Sequence, residues 1–482
     1  MLKSNGFETS MWFLPQKHGG ELYSEDLVEE LYQGTLDSSI IGISVMDDFV
    51  HTAIQLTRRL RREGRIVIWG GANPTINPEL GQRFADAVCI GDGEDALLEL
   101  ARRVDKGEDT GVISNIWFHD GQRPPLKPIE DISRLPRVDY GPDGHYIFDV
   151  EKNRFVSPAT LEGYQTYLEP APGTVPGNPQ AFIYRIITTR GCPNSCTYCA
   201  NSILKKIVSP RIRMKSYDQI VEELDWVRKN FPLVTHLAIA DDSFLYRPDV
   251  REVAQAVKNA GLVFRCLIAP NHFNRDLMDH LMDCGLDVCQ IGLQSRAPRV
   301  EDLYRRTYIN KNIVQVLDYF RDHPRKIPIQ VDIIVNNPWE STHDTVLTIK
   351  FLLRHLPSRA HLCILSLVFY HGTVLWKKAL EENIIDDEFR YSTYAWRAQK
   401  SIRYTSILLS LFNKHWFPRK LIKVLATPPF LLVFDRPVWS NRIFPCLLYK
   451  TVSPFKLSQK RPGWPSLNPL KTKNQPAKRV SP

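Results

Sequence analysis

The chain is predicted to be an α/β protein: an N-terminal doubly wound (Rossmann-like) parallel sheet, truncated, then a partial (β/α)6 barrel, then a basic C-terminal tail. Three observations predict this. Apolar runs of strand length alternate with amphipathic stretches over residues 39–104, and the same rhythm returns six times between residues 182 and 383. Strands alternating with helices imply parallel sheets. The third observation is a division of charge: residues 401–482 hold fifteen Lys or Arg and a single acid, Asp435, so this tail carries +14 and residues 1–400 carry −5 of the total +9.

In the N-terminal part, 39–45 reads as a buried strand and 50–63 as a helix with Ile54, Leu56 and Leu60 inward. A second strand, 65–71, ends in Gly70-Gly71. A third, 86–91, leads into a helix that begins near Gly93 and carries Ala96, Leu97, Leu100 and Ala101. Ligands of such sheets bind beyond the carboxyl ends of the strands, which here are Ser44-Val45-Met46, Gly70-Gly71-Ala72-Asn73-Pro74 and Gly91-Asp92-Gly93-Glu94. Residues 120–180, rich in Pro and Gly and poor in periodicity, read as a linker with a surface excursion. The expected domains are therefore 1–119, the linker 120–180, a barrel over 181–385 and an extension over 386–482.

The six barrel strands are expected at 182–188, 236–240, 263–269, 287–294, 327–335 and 361–370. Ser216 with Gln219, and Ser341 with Asp344, mark helix starts. Active faces of barrels lie at the strand C-termini, and polar residues gather there: Asp241-Asp242 after the second strand, Gln294-Ser295 after the fourth, Asn336-Asn337-Pro338-Trp339-Glu340 after the fifth, and His371-Gly372-Thr373 after the sixth.

The densest chemistry follows the first barrel strand, in Arg190-Gly191-Cys192-Pro193-Asn194-Ser195-Cys196-Thr197-Tyr198-Cys199. Three thiolates at this spacing suit three corners of a 4Fe-4S cube and leave the fourth iron open to a small molecule. A zinc site would need a further Cys or His hook, and none is near. The nine cysteines are odd in number and scattered, so they do not read as a disulfide framework. Cys89, Cys266, Cys284, Cys289, Cys363 and Cys446 sit mostly in apolar contexts and read as packing residues. His51, near the first strand end, reads as a helix-surface residue.

The Cys-x3-Cys-x-Tyr-Cys loop resembles that of the radical S-adenosylmethionine (SAM) superfamily, and the later strand ends match its motifs in order, except that Asn336, Trp339 and His371 stand where Gly, Gly and Pro are usual. The resemblance implies a 4Fe-4S cluster on Cys192, Cys196 and Cys199, SAM held by Asp241, Asp242, Gln294, Ser295 and Asn336, and reductive SAM cleavage to a 5′-deoxyadenosyl radical. The N-terminal part is similar to the cobalamin (B12)-binding domain of one branch, through Ser44-x-Met46, Gly70-Gly71 and Gly91-x-Gly93-Glu94. It implies cobalamin beside Ser44, Gly70, Gly71, Gly91, Gly93 and Glu94. The Asp-x-His-x-x-Gly motif of many cobalamin proteins is absent: Asp143-Gly144-His145 begins it, but Phe148 stands where Gly belongs. The family's first strand is not expected here, because Met1 opens on a segment resembling the end of its first helix.

The expected function is a radical SAM enzyme, with cobalamin-dependent methylation of an unactivated carbon as the leading reading. Cobalamin-independent radical rearrangement, oxidation or cyclisation is the alternative among enzymes, and a non-catalytic iron-sulfur sensor the alternative outside them. Expected partners are a reductant such as flavodoxin or ferredoxin. No apolar stretch reaches the ~20 residues of a membrane span, and no export pattern opens the chain, so a cytoplasmic location is expected. The tail mixes basic and bulky apolar residues, which suits a helical cap on the barrel or a peripheral membrane contact. Nucleic acid is not expected, because no RNA-binding motif accompanies the charge.

Overall fold

The computed structural model describes residues 1–17, 21–171, 181–242, 244–385 and 403–435. Near the N-terminus, the three-residue strand β1 (Met11–Phe13) precedes a four-stranded sheet of β2 (Ile40–Ser44), β3 (Ile66–Gly70), β4 (Ala87–Cys89) and β5 (Ile116–Phe118), arranged in that order. β2, β3 and β4 run parallel and β5 closes the sheet antiparallel. The crossover helices Val50–Leu60 and Glu94–Asp105 lie where the periodicity puts them, with Leu98 buried more fully than Leu97. Trp69 on β3 is fully buried, and its indole N–H donates to Thr57 Oγ1 at 2.7 Å. That bond spares the core an unpaired donor.

The stretch expected as a linker carries structure of its own. β6 (His145–Asp149) pairs parallel with β1 and antiparallel with β7 (Arg154–Val156), so residues 11–13 are joined to a partner more than 130 positions away. Trp12 stacks on Tyr146 at 4.2 Å and meets Phe155 edge-on. Strands of three to five residues among Pro and Gly give no periodicity to read. His145, in the incomplete Asp-x-His motif, is buried between the Tyr164 hydroxyl and Asp139, and burial lowers its pKa. β8 (Glu169–Pro170) then adds an antiparallel edge to the barrel sheet. Residues 172–180 of the same stretch lie outside the described residues.

The barrel strands are β9 (Phe182–Ile186), then β12 (Val234–Ile239), β13 (Val263–Ile268), β14 (Leu286–Gln294), β15 (Ile329–Val335) and β16 (Ala360–Ser366). They pair in parallel, in that order, as a curled half-barrel. Between β9 and β12 the two-residue strands β10 (Thr189–Arg190) and β11 (Arg213–Met214) pair antiparallel and bracket the cysteine loop and helix α1 (Asn201–Ile207). Ser216 and Ser341 cap their helices as expected; at the second, α2 (Thr342–His355), Ser341 and Asp344 form a reciprocal capping box. The core is mainly apolar, with Phe182, Tyr184, Phe264, Cys289 and Ile291 all buried, and its few buried acids are paired, Glu223 with the Tyr184 hydroxyl and Asp332 with Gln290 and Gln330.

Behind the barrel, α3 (Tyr404–Leu411) lies against α2 and β16, α4 (Arg419–Leu425) against α2 and α3, and α5 (Pro428–Phe434) packs Phe430, Leu431 and Phe434 on the core. Leu408, Leu409 and Ile422 are buried in the barrel core. Asn413 covers the open edge of β16: its side chain accepts from the Leu362 amide and donates to the Leu362 carbonyl, both at 2.8 Å. Residues 436–482, with Cys446 and the Pro-rich end, lie outside the described residues. Among the described residues no helix is long and apolar enough to cross a membrane.

Candidate functional site

The cysteine loop is held open by its surroundings. Gly191 adopts φ +106°, a conformation that side-chain-bearing residues rarely take. Thr197 is fastened three times: its amide donates to Tyr304 O (3.3 Å), its hydroxyl to Leu303 O (2.6 Å), and its carbonyl accepts from the Leu375 amide (3.1 Å). The Lys205 ammonium gathers the carbonyl of Asn194 at 2.9 Å and the Ser195 hydroxyl at 2.6 Å. Cys199 leads directly into α1, whose Ser202 hydroxyl donates to the Cys199 carbonyl at 2.7 Å.

Burial, with the charges of Cys196 and Asp242 added, pushes the thiols of Cys192 and Cys199 up, the second to about 12. Such thiols become thiolates when a metal displaces the protons. Among the described residues no three His, Cys, Asp or Glu side chains are grouped to hold a single metal ion. Cys192 and Cys199 each feel the charge of Cys196, so the three thiols stand near one another, and three thiolates from one loop suit three corners of a cluster. Arg306, which no local sequence pattern marks, is buried with its guanidinium 3.6 Å from Cys196 Sγ and 3.3 Å from the Tyr198 hydroxyl. It is held there by Gly292 O and Asn310 Oδ1.

The two acids after β12 part company. Asp241, 2% exposed, accepts from the amides of Thr188 (2.7 Å) and Thr189 (3.0 Å) and from the Thr188 hydroxyl (2.5 Å), so both oxygens are used to fasten the end of β9. Asp242 is exposed and its charge reaches Cys192 and Cys199. Ser243, beside it, lies outside the described residues. Gln294, at a register shift in β14, has φ +70° and a buried Oε1 with no hydrogen-bond partner. Ser295 is buried, with its hydroxyl 3.3 Å from Glu340 Oε1 and from Thr348. Burial raises the Glu340 carboxyl to about 7. Asn336, where glycine is usual, adopts φ +60° and donates to Ser366 Oγ at 2.8 Å. Asn tolerates this left-handed conformation better than most side chains.

The ends of β2, β3 and β4 face this mouth. His371 donates from Nδ1 to Ile76 O at 2.8 Å, and the Tyr370 phenol, raised chiefly by burial, feels the charges of Asp47, Asp48 and Cys199. Asp47 accepts from Asn73 Nδ2 at 3.0 Å, and burial lifts its carboxyl to about 6; Asn73 Oδ1 is buried and unpartnered. Ser44 and Met46 are exposed, and a Cβ at Gly70 would meet only Cys89 Cβ at 3.7 Å. An orphaned amide oxygen and uncrowded small residues at these strand ends fit the polar tail of a bulky cofactor. Gly71 is different: a Cβ there would stand 3.0 Å from Val45 O. A Cβ at Gly91 would lie 3.5 Å from Val208, just beyond α1, and one at Gly93 3.2 Å from Cys89 Sγ. The Glu94 carboxylate is bound to Arg190 at 2.5 Å. His51 sits half-buried at the start of its helix, and burial lowers its pKa.

A family model of the radical SAM superfamily matches residues 186–352, and one of the B12 binding domain matches residues 1–101. The chain thus carries a radical SAM domain preceded by a B12-binding domain. It is accordingly a radical SAM enzyme, and the cofactors of its two domains are a 4Fe-4S cluster, SAM and cobalamin. Over 405 residues it is 24% identical to an uncharacterized methyltransferase of Pyrococcus horikoshii, PH0819, covering 81% of this chain and 77% of that one. Its fold is similar to that of the radical SAM methyltransferase TsrM of Kitasatospora setae, solved with tryptophan and a SAM analogue (TM-score 0.56, 16% identity, 73% of this chain and 67% of that one). It is also similar to the cobalamin-dependent SAM radical enzyme OxsB with aqua-cobalamin bound (TM-score 0.51, 16% identity), covering 75% of this chain and half of that one.

Proposed function

We propose that the protein methylates an unactivated carbon of its substrate in a cobalamin-dependent radical SAM reaction. The observation that carries this reading is the meeting of two sites: the short helix after β3 (Ala72–Ile76) packs on α1, which follows the cysteine loop, His371 after β16 donates to Ile76 O, and the Tyr370 phenol feels the charges of both Asp47 and Cys199. When bound, the cluster, SAM and cobalamin supply an electron, a hydrogen-abstracting radical and a transferable methyl group. The chain's residues position these groups. Cys192, Cys196 and Cys199 ligate iron. Asp242, whose charge reaches Cys192 and Cys199, would receive the SAM ammonium, and the unpartnered Gln294 Oε1 would accept a hydrogen bond from the nucleoside. Asn336 and Ser295 shape the rim, Ser295 through Glu340, and Asp241 keeps the end of β9 in place. On the opposite side, Ser44, Gly70, Gly71 and Gly91 border the cobalamin, while Gly93 and Glu94 act indirectly by fixing the turn to Arg190.

The same reading gives the enzyme a low-potential electron donor of the flavodoxin or ferredoxin kind, a cytoplasmic location and a peripheral contact with a membrane through its basic C-terminal region. The similarity to methyltransferases named above supports methyl transfer over rearrangement. The test is reduced, reconstituted protein given SAM with a deuterated methyl group. Methylation predicts both 5′-deoxyadenosine and S-adenosylhomocysteine; 5′-deoxyadenosine alone would overturn the cobalamin-dependent reading, and neither product from an intact cluster would overturn catalysis.

A further inference from the structure

The cap behind the barrel exposes several apolar side chains within twenty residues of chain. Leu421 and Val424 on α4, Leu432 and Val433 on α5, and Trp416 just before them are exposed, Trp416 to 77% and Leu432 to 69%. Their neighbours Ile422 and Ala426 are buried in the barrel core, and Phe434 packs on Tyr404 at 5.3 Å, so the two short helices are anchored from beneath. Lys420 and Lys423 are exposed among the apolar side chains. Contiguous exposed apolar side chains rimmed by charge mark an interaction surface.

The place of this face is fixed by its ends. At one end Arg419 donates to the carbonyls of Leu356 (2.5 Å) and Pro357 (2.9 Å), below the C-terminus of α2. At the other, Asp435 accepts from the Thr342 hydroxyl at the start of α2, and Arg403 donates to the carbonyl of Glu340 (3.0 Å). Glu340 belongs to the turn after β15, on the rim of the barrel mouth. The face therefore runs up the flank of the barrel and ends beside the site.

We propose that α4 and α5 form the surface on which the protein docks to an anionic bilayer; this rests on the reading of the C-terminal region as a membrane contact and assigns it to named residues. Charge argues for this occupant. Between Arg403 and Asp435 the chain has five Lys or Arg and one acid; Arg403 and Arg419 are turned to the barrel, Lys420 and Lys423 stand exposed on this face, and residues 401–482 as a whole carry +14. Anionic headgroups attract such residues, while Trp and aliphatic side chains settle at the interface. In a two-fold contact with a second copy Lys420 and Lys423 of both chains would lie within one interface, and interface cores are depleted of charge. Docked by this face, the enzyme holds its mouth at headgroup level.

The test is flotation of the full-length protein with phosphatidylcholine vesicles, with and without phosphatidylglycerol, for the wild type and for Leu432→Asp/Val433→Asp and Lys420→Glu/Lys423→Glu. All four positions are exposed, and circular dichroism checks that both variants fold. The wild type is expected to float with the anionic vesicles only, and each variant to lose that binding, the lysine pair with a partition coefficient lower by roughly thirtyfold. Undiminished flotation of both variants would overturn this surface while leaving a membrane contact elsewhere in the tail. No flotation of the wild type would overturn the membrane reading itself. A wild-type dimer dispersed by Leu432→Asp/Val433→Asp would assign the face to a second copy.

Discussion

Arg190, two residues before Cys192, reaches out of the barrel to the N-terminal sheet: its Nη2 donates to Glu94 Oε1 at 2.5 Å and its Nη1 to Asp92 Oδ1 at 3.0 Å. Asp92 also binds Arg213, the partner of Arg190 across the β10–β11 pair, and accepts from the Ile129 amide at 3.0 Å. The cysteine loop is thus clamped at its base to the domain it faces. Removing one partner of a buried ion pair costs about 3 kcal/mol, and a half-exposed pair about 1 kcal/mol or less. Asp92→Asn is expected to lower the unfolding free energy by about 3 kcal/mol in urea, and Glu94→Gln to cost no more than about 1 kcal/mol. Equal effects would contradict the ranking.

Arg306 places a permanent positive charge beside Cys196. Hydrogen bonds and charge at the sulfurs favour the reduced cluster. In Arg306→Met the cluster midpoint potential, followed by electron paramagnetic resonance, is expected to move to a more negative value with iron content retained. An unchanged potential would show that the guanidinium serves packing alone.

Each of Cys192→Ser, Cys196→Ser and Cys199→Ser is expected to lose the visible absorbance of the reconstituted cluster and to reduce SAM cleavage to background, with far-ultraviolet circular dichroism unchanged. Cys89→Ser and Cys289→Ser, in apolar cores, should keep the cluster.

Glu340 gives the fold a pH dependence of definite sign. Burial raises its carboxyl from 4.5 to about 7, so between those values the unfolded chain releases a proton that the folded protein keeps. This contribution to stability is present below pH 4.5, falls as pH rises, and is gone above pH 7, a loss of about 3 kcal/mol. In Glu340→Gln the fall between pH 4.5 and 7 should be shallower by that amount in denaturant titrations.

At Asn336 the left-handed backbone decides the tolerance. Asn336→Gly is expected to stay within about 1 kcal/mol of the wild type, since the lost bond to Ser366 is offset by relaxed strain. Asn336→Val should destabilise by about 2 kcal/mol or more, because a β-branched residue is disfavoured at positive φ.

Much of the architecture is written in local patterns. All six barrel strands are apolar runs, within a few residues of their observed ends, and the serine caps at 216 and 341 follow from side chains three residues apart. What escaped reading depends on distance along the chain. β1 is three residues long and is a strand only because β6 lies beside it. Arg306 touches Cys196 across 110 positions, and nothing near either residue announces the other. The two adjacent acids at 241 and 242 look alike in sequence; their roles separate because one side chain points back to Thr188 and the other reaches Asn201 beside the cysteine loop. Glu94, a motif residue, turned out to be held by Arg190, a partner 96 positions away.

The most direct measurement of the central claim is the cobalamin content of the reconstituted protein, expressed anaerobically with cobalamin supplied and read by absorbance and mass spectrometry. Near-stoichiometric cobalamin alongside an intact cluster is the predicted result. An intact cluster with no cobalamin would contradict it and leave the N-terminal sheet as a scaffold for cobalamin-independent radical chemistry.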